Sequence, residues 1–304
     1  MSLLSVLQHR VLLLDGALGT MLSSFAACDT FNLSQPATVA QLHRRYLEAG
    51  ADILTTNTFL SRPNLQRGIR PTDAIALNRA GVRIARAEAE RMTHLTPDRP
   101  RFVVGSIGSE GGSTLMGESA YVEQMRVLAE EGVDALLVET IVDTDAARAA
   151  LQAYDRVKAQ YSIPLMLSFA LVGKADSLLS GETIEEMVHL VAAVQPLSVG
   201  LNCGRATDYT TCLQRIAQCA SCFVSCHPNA GLPNEQGAYP DTPQTMAQSI
   251  RYWIENRWVN IVGGCCGTTP AYTAAMRVLL DSLSQTVPPR AVAQSFLRPS
   301  YGNP

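Results

Sequence analysis

Eight short apolar runs recur along the chain, and each is followed by a stretch whose apolar residues return every three or four positions. The runs cover residues 11–16, 51–57, 102–106, 135–140, 164–169, 197–202, 222–227 and 259–263. Continuous apolar runs of this length predict strands buried on both faces, as in a parallel sheet. The intervening stretches predict helices. Ser34 followed by Pro36 is a start signal; Val39, Leu42, Tyr46 and Leu47 then mark one face, and Gly50 stops it. Ile184, Met187, Val188, Val191 and Val194 repeat the pattern, as do Met246, Ile250, Trp253 and Ile254. Thr269-Pro270 caps the last helix, which runs on through Leu279 and Leu280.

Eight strand-then-helix units in 304 residues fit an α/β fold of the (β/α)8 TIM-barrel type. A doubly wound open sheet shows the same alternation and is the main rival. The polar residues at the strand ends favour the barrel. Asp15, Asn57, Ser106, Glu139, Ser168, Asn202, Cys203, His227, Cys265 and Cys266 all fall at the C-terminal end of a run or just past it. A barrel brings those ends to one mouth, whereas an open sheet spreads them along a crevice. No repeat beyond this alternation and no second domain is visible. The barrel is expected over residues 1–284, followed by a proline-containing tail or linker over 285–304.

A hydrophobic content of 47% and a charged content of 17% suit a protein with a substantial core. The formal net charge of -3 offers no support for a nucleic-acid or membrane-surface partner. No apolar run is long enough to span a bilayer. Met1 to Leu14 lacks the layout of an export signal, which predicts a cytoplasmic protein. In that compartment the eight cysteines are expected to be reduced, and metal binding or catalysis is a better use for them than a disulfide framework.

The segment Ile261-Val262-Gly263-Gly264-Cys265-Cys266-Gly267-Thr268-Thr269-Pro270 reads as a strand, a glycine turn, two adjacent thiols and a helix start. Adjacent side chains of a regular strand point to opposite faces. Gly263, Gly264 and Gly267 are expected to release the backbone from that alternation, so that both sulfurs turn to one point. Cys203, in Asn202-Cys203-Gly204 at another strand end, then completes a three-thiolate zinc site. Three protein ligands with one open position is the pattern of catalytic zinc. Buried cysteines also serve as ordinary small hydrophobes, and Cys212 on a helical face reads that way. Cys226 lies near a strand end and could approach the mouth; Cys28 lies in a loop with no evident partner. Cys219 and Cys222 fall at the wrong ends of their elements.

Asp15-Gly16-Ala17-Leu18-Gly19-Thr20 places a carboxylate beside a glycine turn with backbone N–H groups, among them those of Gly16, Ala17 and Thr20. Such a turn suits an amino acid: the ammonium meets the carboxylate, and the substrate carboxylate meets N–H donors. Glu139, a second carboxylate at a strand end, strengthens that reading, while the plain alternative makes Asp15 a helix cap. Asn202, beside Cys203, is a further candidate substrate contact. The turn-rich segment from His227 to Asn234 shapes either the pocket or the scaffold.

From about Val11 to Met276 the sequence resembles the homocysteine S-methyltransferase family, most closely the N-terminal homocysteine-binding module of cobalamin-dependent methionine synthase. The resemblance rests on the Asp15-to-Thr20 turn, Glu48-Ala49-Gly50-Ala51-Asp52-Ile53, Thr56-Asn57-Thr58-Phe59 and Val138-Glu139-Thr140. Leu179-Ser180-Gly181, Gly200-Leu201-Asn202-Cys203, the His227-to-Asn234 segment and the Gly263-to-Pro270 segment add to it. It implies a (β/α)8 barrel, zinc on Cys203, Cys265 and Cys266, and homocysteine held with the help of Asp15 and Glu139. Ser109 stands where the family often has proline. The full synthase carries further modules for methyl-folate, cobalamin and reactivation, which these residues do not include. The resemblance therefore implies a methyl group delivered by methylcobalamin on a separate corrinoid protein fed from 5-methyltetrahydrofolate. S-methylmethionine, used by stand-alone relatives, is the alternative donor. A non-catalytic zinc or thiol-redox protein is the alternative of a different class.

Overall fold

The computed structural model describes residues 1–22, 25–63, 67–109, 117–171, 177–178 and 180–293. Among them the strands are β1 (Leu12–Leu13), β2 (Ile53–Thr55), β3 (Phe102–Gly108) and β4 (Ala135–Ile141). They continue with β5 (Leu165–Phe169), β6 (Ser198–Arg205), β7 (Phe223–Asn229) and β8 (Ile261–Val262). Helix α1 (Leu3–Leu7) precedes β1, and α2 (Phe31–Ser34) and α3 (Pro36–Glu48) follow it. Helices α4 (Pro71–Leu95), α5 (Gly117–Glu130), α6 (Thr144–Tyr161) and α7 (Ile184–Ala192) each follow the next strand in turn. The last three, α8 (Ala206–Cys219), α9 (Pro243–Glu255) and α10 (Pro270–Leu283), do the same.

The strands pair in parallel in the order β1-β8-β7-β6-β5-β4-β3-β2. Leu14 bridges Ile53, and the Asp15 N–H donates to the Ile53 carbonyl at 2.9 Å, which brings β1 beside β2 and closes the ring. A doubly wound sheet would leave two open edges. The fold is the (β/α)8 barrel.

Alternation within the strands divides the apolar residues between two layers. Leu12, Leu14, Ile53, Phe102, Val104, Phe223 and Ile261 fill the barrel interior. Leu13, Leu54, Val103 and Leu136 point outward into a second layer shared with the helices. Leu3, Val6 and Leu7 of α1 join the inner layer and stop the N-terminal end of the barrel. Space for a ligand is therefore left at the C-terminal ends of the strands, where barrel sites form.

The ends of several elements differ from the sequence expectation. Ser34 closes α2 instead of starting α3, whose N-cap is Gln35 with no side-chain capping bond; Pro36 alone, with its fixed φ, sets the start. Strands β1 and β8 hold only two residues each, because the chain leaves strand geometry at once to build the turns of the mouth. Of the tail, residues 285–293 run as a strap. The Arg290 carbonyl accepts from Asn260, its guanidinium donates to the carbonyls of Ala217 and Cys222, and Val292 packs on the inner layer. Residues 294–304, Leu179 of the Leu179-Ser180-Gly181 motif and Glu110 lie outside the described residues. No helix among the described residues is long and apolar enough to cross a membrane.

Asp52, fully buried, ties the N-terminal side together. Its carboxylate accepts from the Leu13 N–H and meets Arg10, Arg99 and Arg277 at 3.0, 2.8 and 3.4 Å. Burial alone would raise its pKa, but the three guanidiniums and the Leu13 N–H outweigh it and hold the carboxyl below the usual range. A depressed carboxylate contributes stability that is complete above its unfolded pKa of about 3.9 and is lost as pH falls through the folded value. Asp52→Asn is expected to lower unfolding stability by about 3 kcal/mol, at the low end for a broken buried ion pair because the guanidiniums keep some solvent. Urea titrations of both proteins at pH 7 and below pH 4 check this, and the gap should shrink at the acid end.

Candidate metal and substrate site

Each of the three cysteines reaches the mouth by a departure from regular strand geometry. After Val262 the chain passes over the β1 turn through Gly263 and Gly264, neither of which has a positive φ. Their role is steric and not the conformational release the sequence suggested. A Cβ on Gly263 would lie 2.6 Å from the Leu14 Cβ, and one on Gly264 would lie 2.5 Å from the Thr268 hydroxyl. Gly267 alone of the three takes up the left-handed conformation, with φ 78°, and the Tyr239 ring covers it.

The turn that follows is pinned on both sides. The Cys265 N–H donates to the Pro228 carbonyl at 2.8 Å, and the Ala230 N–H donates to the Cys266 carbonyl at 2.9 Å. The Thr268 hydroxyl donates to the Cys265 carbonyl at 2.7 Å and accepts from the Ala17 N–H at 3.1 Å. The Gly264 N–H donates to the Asp15 carbonyl at 3.0 Å, and the Gly267 N–H to the Thr20 hydroxyl at 3.2 Å. Tyr46, fully buried, donates to the carbonyls of Ala17 and Thr268. The cysteine turn and the Asp15 turn thus form one hydrogen-bonded body.

Cys203 comes from β6, where the register with β7 slips between Asn202 and Arg205 and Cys203 itself has φ 61°. Its sulfur lies 3.0 Å from that of Cys265, and the three sulfurs of Cys203, Cys265 and Cys266 lie within 4.8 Å of one another. In a tetrahedral site with zinc–sulfur bonds near 2.3 Å the sulfurs stand roughly 3.8 Å apart. Sulfurs this close together could hold a metal ion between them. Hydrogen bonds from Cys203 and then Cys265 pull the Cys266 thiol down, whereas those with Cys203 and then Cys266 push Cys265 up.

The carboxylates stand in the same cavity. Asp15 is 1% exposed and accepts from the Thr55 N–H and hydroxyl, both at 3.0 Å. Burial drives its carboxyl well above the usual range; the Thr55 bonds oppose the shift and the charge of Glu139 adds to it. Glu139 accepts from the Ser106 hydroxyl, and its other oxygen lies 3.5 Å from His227 Nε2. Asp15, Gly16, Ala17, Thr20, Glu139, Cys203, Cys265 and Cys266 all line one cavity of about 130 Å³. Among the described residues, no lysine or arginine lines it.

Two sequence expectations change here. Asn202 does not line the cavity: it is fully buried, and its side chain is spent on Thr140 and Ser168. The Ala17 N–H is not a free donor, since Thr268 takes it. Cys226 points away from the mouth into the outer core with Cys212, as the alternation of β7 requires when His227 faces inward. Cys28 lies in a 3-10 turn (Phe25–Thr30); its carbonyl accepts from Asn57, burial raises its thiol to about 11, and it lines the cavity. Thr140 and Phe59 also line it. Both lie in segments quoted for the family resemblance, but only their neighbours carry a group that attracts notice in a sequence. The Ser109 N–H donates to the Glu139 carbonyl at 2.9 Å, a bond that proline could not make.

Residues 12–280 match the model of the homocysteine S-methyltransferase family. The chain belongs to that family. It is a methyltransferase. Among solved structures it is similar to the homocysteine methyltransferase MmuM from Escherichia coli in its metallated form, at 25% identity and a TM-score of 0.74, covering 88% of this chain and 96% of that one. The apo form of the same protein matches at 25% identity and a TM-score of 0.72, covering 91% and 98%. A DHDPS from Cyanidioschyzon merolae shares the barrel alone, at 11% identity and a TM-score of 0.52 over 92% of this chain and 75% of that one.

The raised pKa of Asp15 makes a prediction for the free protein. A group whose folded pKa is raised favours the folded state only below its unfolded pKa, and that advantage is lost as pH rises through the folded value. Asp15→Asn removes the penalty, so its urea midpoint should exceed that of the wild type at pH 8. The two midpoints should converge below about pH 3.9, where the acid is protonated in both states.

Proposed function

We propose that the mouth is a zinc-dependent homocysteine S-methyltransferase site, at which the homocysteine sulfur takes a methyl group and methionine leaves. The observation that carries this reading is the pairing, in one cavity, of three convergent sulfurs with two carboxylates, with no lysine or arginine among the described lining residues. Soft thiolates suit zinc, and the uncompensated carboxylates suit the ammonium of an amino acid. The volume, about 130 Å³, compares with the ~150 Å³ apolar cavity that takes up benzene, so the site suits a molecule of amino-acid size.

Cys203, Cys265 and Cys266 would hold the ion. Zinc in that position supplies a Lewis acid that deprotonates a coordinated thiol outright, where a free thiol with pKa near 8.5 stays mostly protonated at neutral pH. Asp15 and Glu139 bind and orient the ammonium; the backbone of the Gly16-to-Thr20 turn faces the substrate carboxylate. The Ser106 hydroxyl holds one oxygen of Glu139 in place, and His227 Nε2 stands 3.5 Å from the other. Leu14, Leu18 and Phe59 keep the wall apolar and limit water at the reacting sulfur. Alignment of this kind is worth roughly 7–11 kcal/mol of a barrier.

For the methyl donor, the resemblance to the synthase module favours methylcobalamin on a corrinoid protein acting in trans. Among the described residues the cavity is lined by two carboxylates and no lysine or arginine, which supports a second reading, a small cationic sulfonium such as S-methylmethionine. Zinc-loaded protein with homocysteine and each donor in turn, assayed for methionine, separates the two; turnover with the sulfonium alone overturns the corrinoid preference.

Two outcomes test the site itself. Cys265→Ala is expected to lose bound zinc and methionine formation while keeping its circular dichroism and unfolding midpoint, because the turn is held through backbone atoms and Thr268. X-ray absorption at the zinc edge should gain one sulfur ligand when homocysteine is added. An unchanged spectrum would favour a non-catalytic zinc or thiol-redox protein.

A further inference from the structure

The geometry points to Thr140 as a positioning residue that turns its hydroxyl hydrogen onto the Cys203 sulfur. This rests on the zinc reading of the cysteine trio. Strand β4 slips register against β5 between Val138 and Ile141, and β6 slips against β7 between Asn202 and Arg205. Thr140 and Cys203 sit in these slips, each with φ 61°. A β-branched residue in the left-handed region is an outlier that costs about 1–3 kcal/mol, so its surroundings must hold it there.

The side chain of Asn202 does so. Its Oδ1 accepts from the Thr140 N–H at 3.0 Å and from the Ser168 hydroxyl at 2.7 Å. A backbone N–H can only donate, so this contact settles which way the Asn202 amide faces. Nδ2 must then be the group that meets the Thr140 hydroxyl oxygen, at 2.8 Å. That oxygen accepts, and its own hydrogen is free to point elsewhere. The Cys203 sulfur lies 3.8 Å away in a hydrogen-bonding direction. A directed chain therefore runs from Ser168 on β5 through Asn202 on β6 to Thr140 on β4, and ends on one of the three sulfurs. Asn202 is fully buried and Thr140 borders the cavity, so the first acts only through the second.

A hydrogen bond to a ligating thiolate orients the sulfur and withdraws some of its charge; losing such a partner typically weakens metal binding about 10–100-fold. The test measures zinc affinity of the full chain by competition with a chromophoric chelator. It also records the sulfur-to-metal charge-transfer band of the cobalt-loaded protein. Thr140→Val keeps the branched shape and removes the hydroxyl; it should bind zinc about 10–100-fold more weakly, with a shifted band. Thr140→Ser, which restores the hydroxyl, should return both to wild-type values. Asn202→Asp gives a second route that leaves Thr140 intact. Its carboxylate can only accept from the Thr140 hydroxyl, so it draws the hydrogen away from Cys203 and should reproduce the Val result; this variant decides the matter if Thr140→Val does not fold. Wild-type zinc affinity and an unshifted band in folded Thr140→Val or in Asn202→Asp would overturn the inference. Wild-type protein that takes up no zinc would overturn the metal reading, and this inference with it.

Discussion

The hydroxyl of Thr268 joins two turns from opposite ends of the chain, donating to the Cys265 carbonyl and accepting from the Ala17 N–H across 251 positions of sequence. The rest of the site depends on this seam. It lies where the first and last strands of the barrel pair, with β8 ending on one side and the chain leaving β1 on the other. Because both strands are so short, the last residues before the mouth are held by turn hydrogen bonds instead of ladder bonds. Closure of the ring and construction of the site are therefore the same physical event. A barrel that failed to close would separate the carboxylate turn from the thiol turn.

Around the seam the mouth carries arrangements that a protein core normally avoids. Asp15 is a buried carboxylate with no lysine or arginine among the described residues that line its cavity. Three thiols crowd within 4.8 Å. Thr140 and Cys203 both hold left-handed backbone conformations at slipped strand ends. All are unfavourable in the free protein; under the proposed function a metal ion would relieve the crowded sulfurs and an ammonium the buried carboxylate. Such local costs are characteristic of functional sites and must be offset by the remaining structure. Here the offset lies in the two apolar layers, in the plug formed by α1 and in the Asp52–arginine cluster at the other end of the barrel.

This separation of roles accounts for what could be read in advance. Strand runs with apolar residues throughout and helices with a single apolar face follow directly from burial, and their alternation already narrows the fold to a few parallel α/β types. The Gly-Gly-Cys-Cys-Gly segment and the Asp15 turn are legible because glycine and charge are conspicuous against a strand. Asn202 was read as a substrate contact, since it neighbours Cys203, yet the register slip sends the two side chains to different partners. Thr140 escaped notice for the matching reason. A period of two places it on the face opposite Glu139, and only the slip in β4 brings it into the cavity.

The amino-acid sequence by itself determined the parallel strands, the chemical identity of the three thiols and two carboxylates, and membership in a family of methyltransferases. These depend on residue type and on periodicities within one element. The tertiary structure alone decided that the sheet closes, which sulfurs meet, that Asp15 and Glu139 line the cavity while Asn202 does not, and that the Thr140 hydroxyl comes within reach of the Cys203 sulfur. Those facts depend on register between strands and on close approach of backbones far apart in the chain, and neither is encoded in any single stretch of residues.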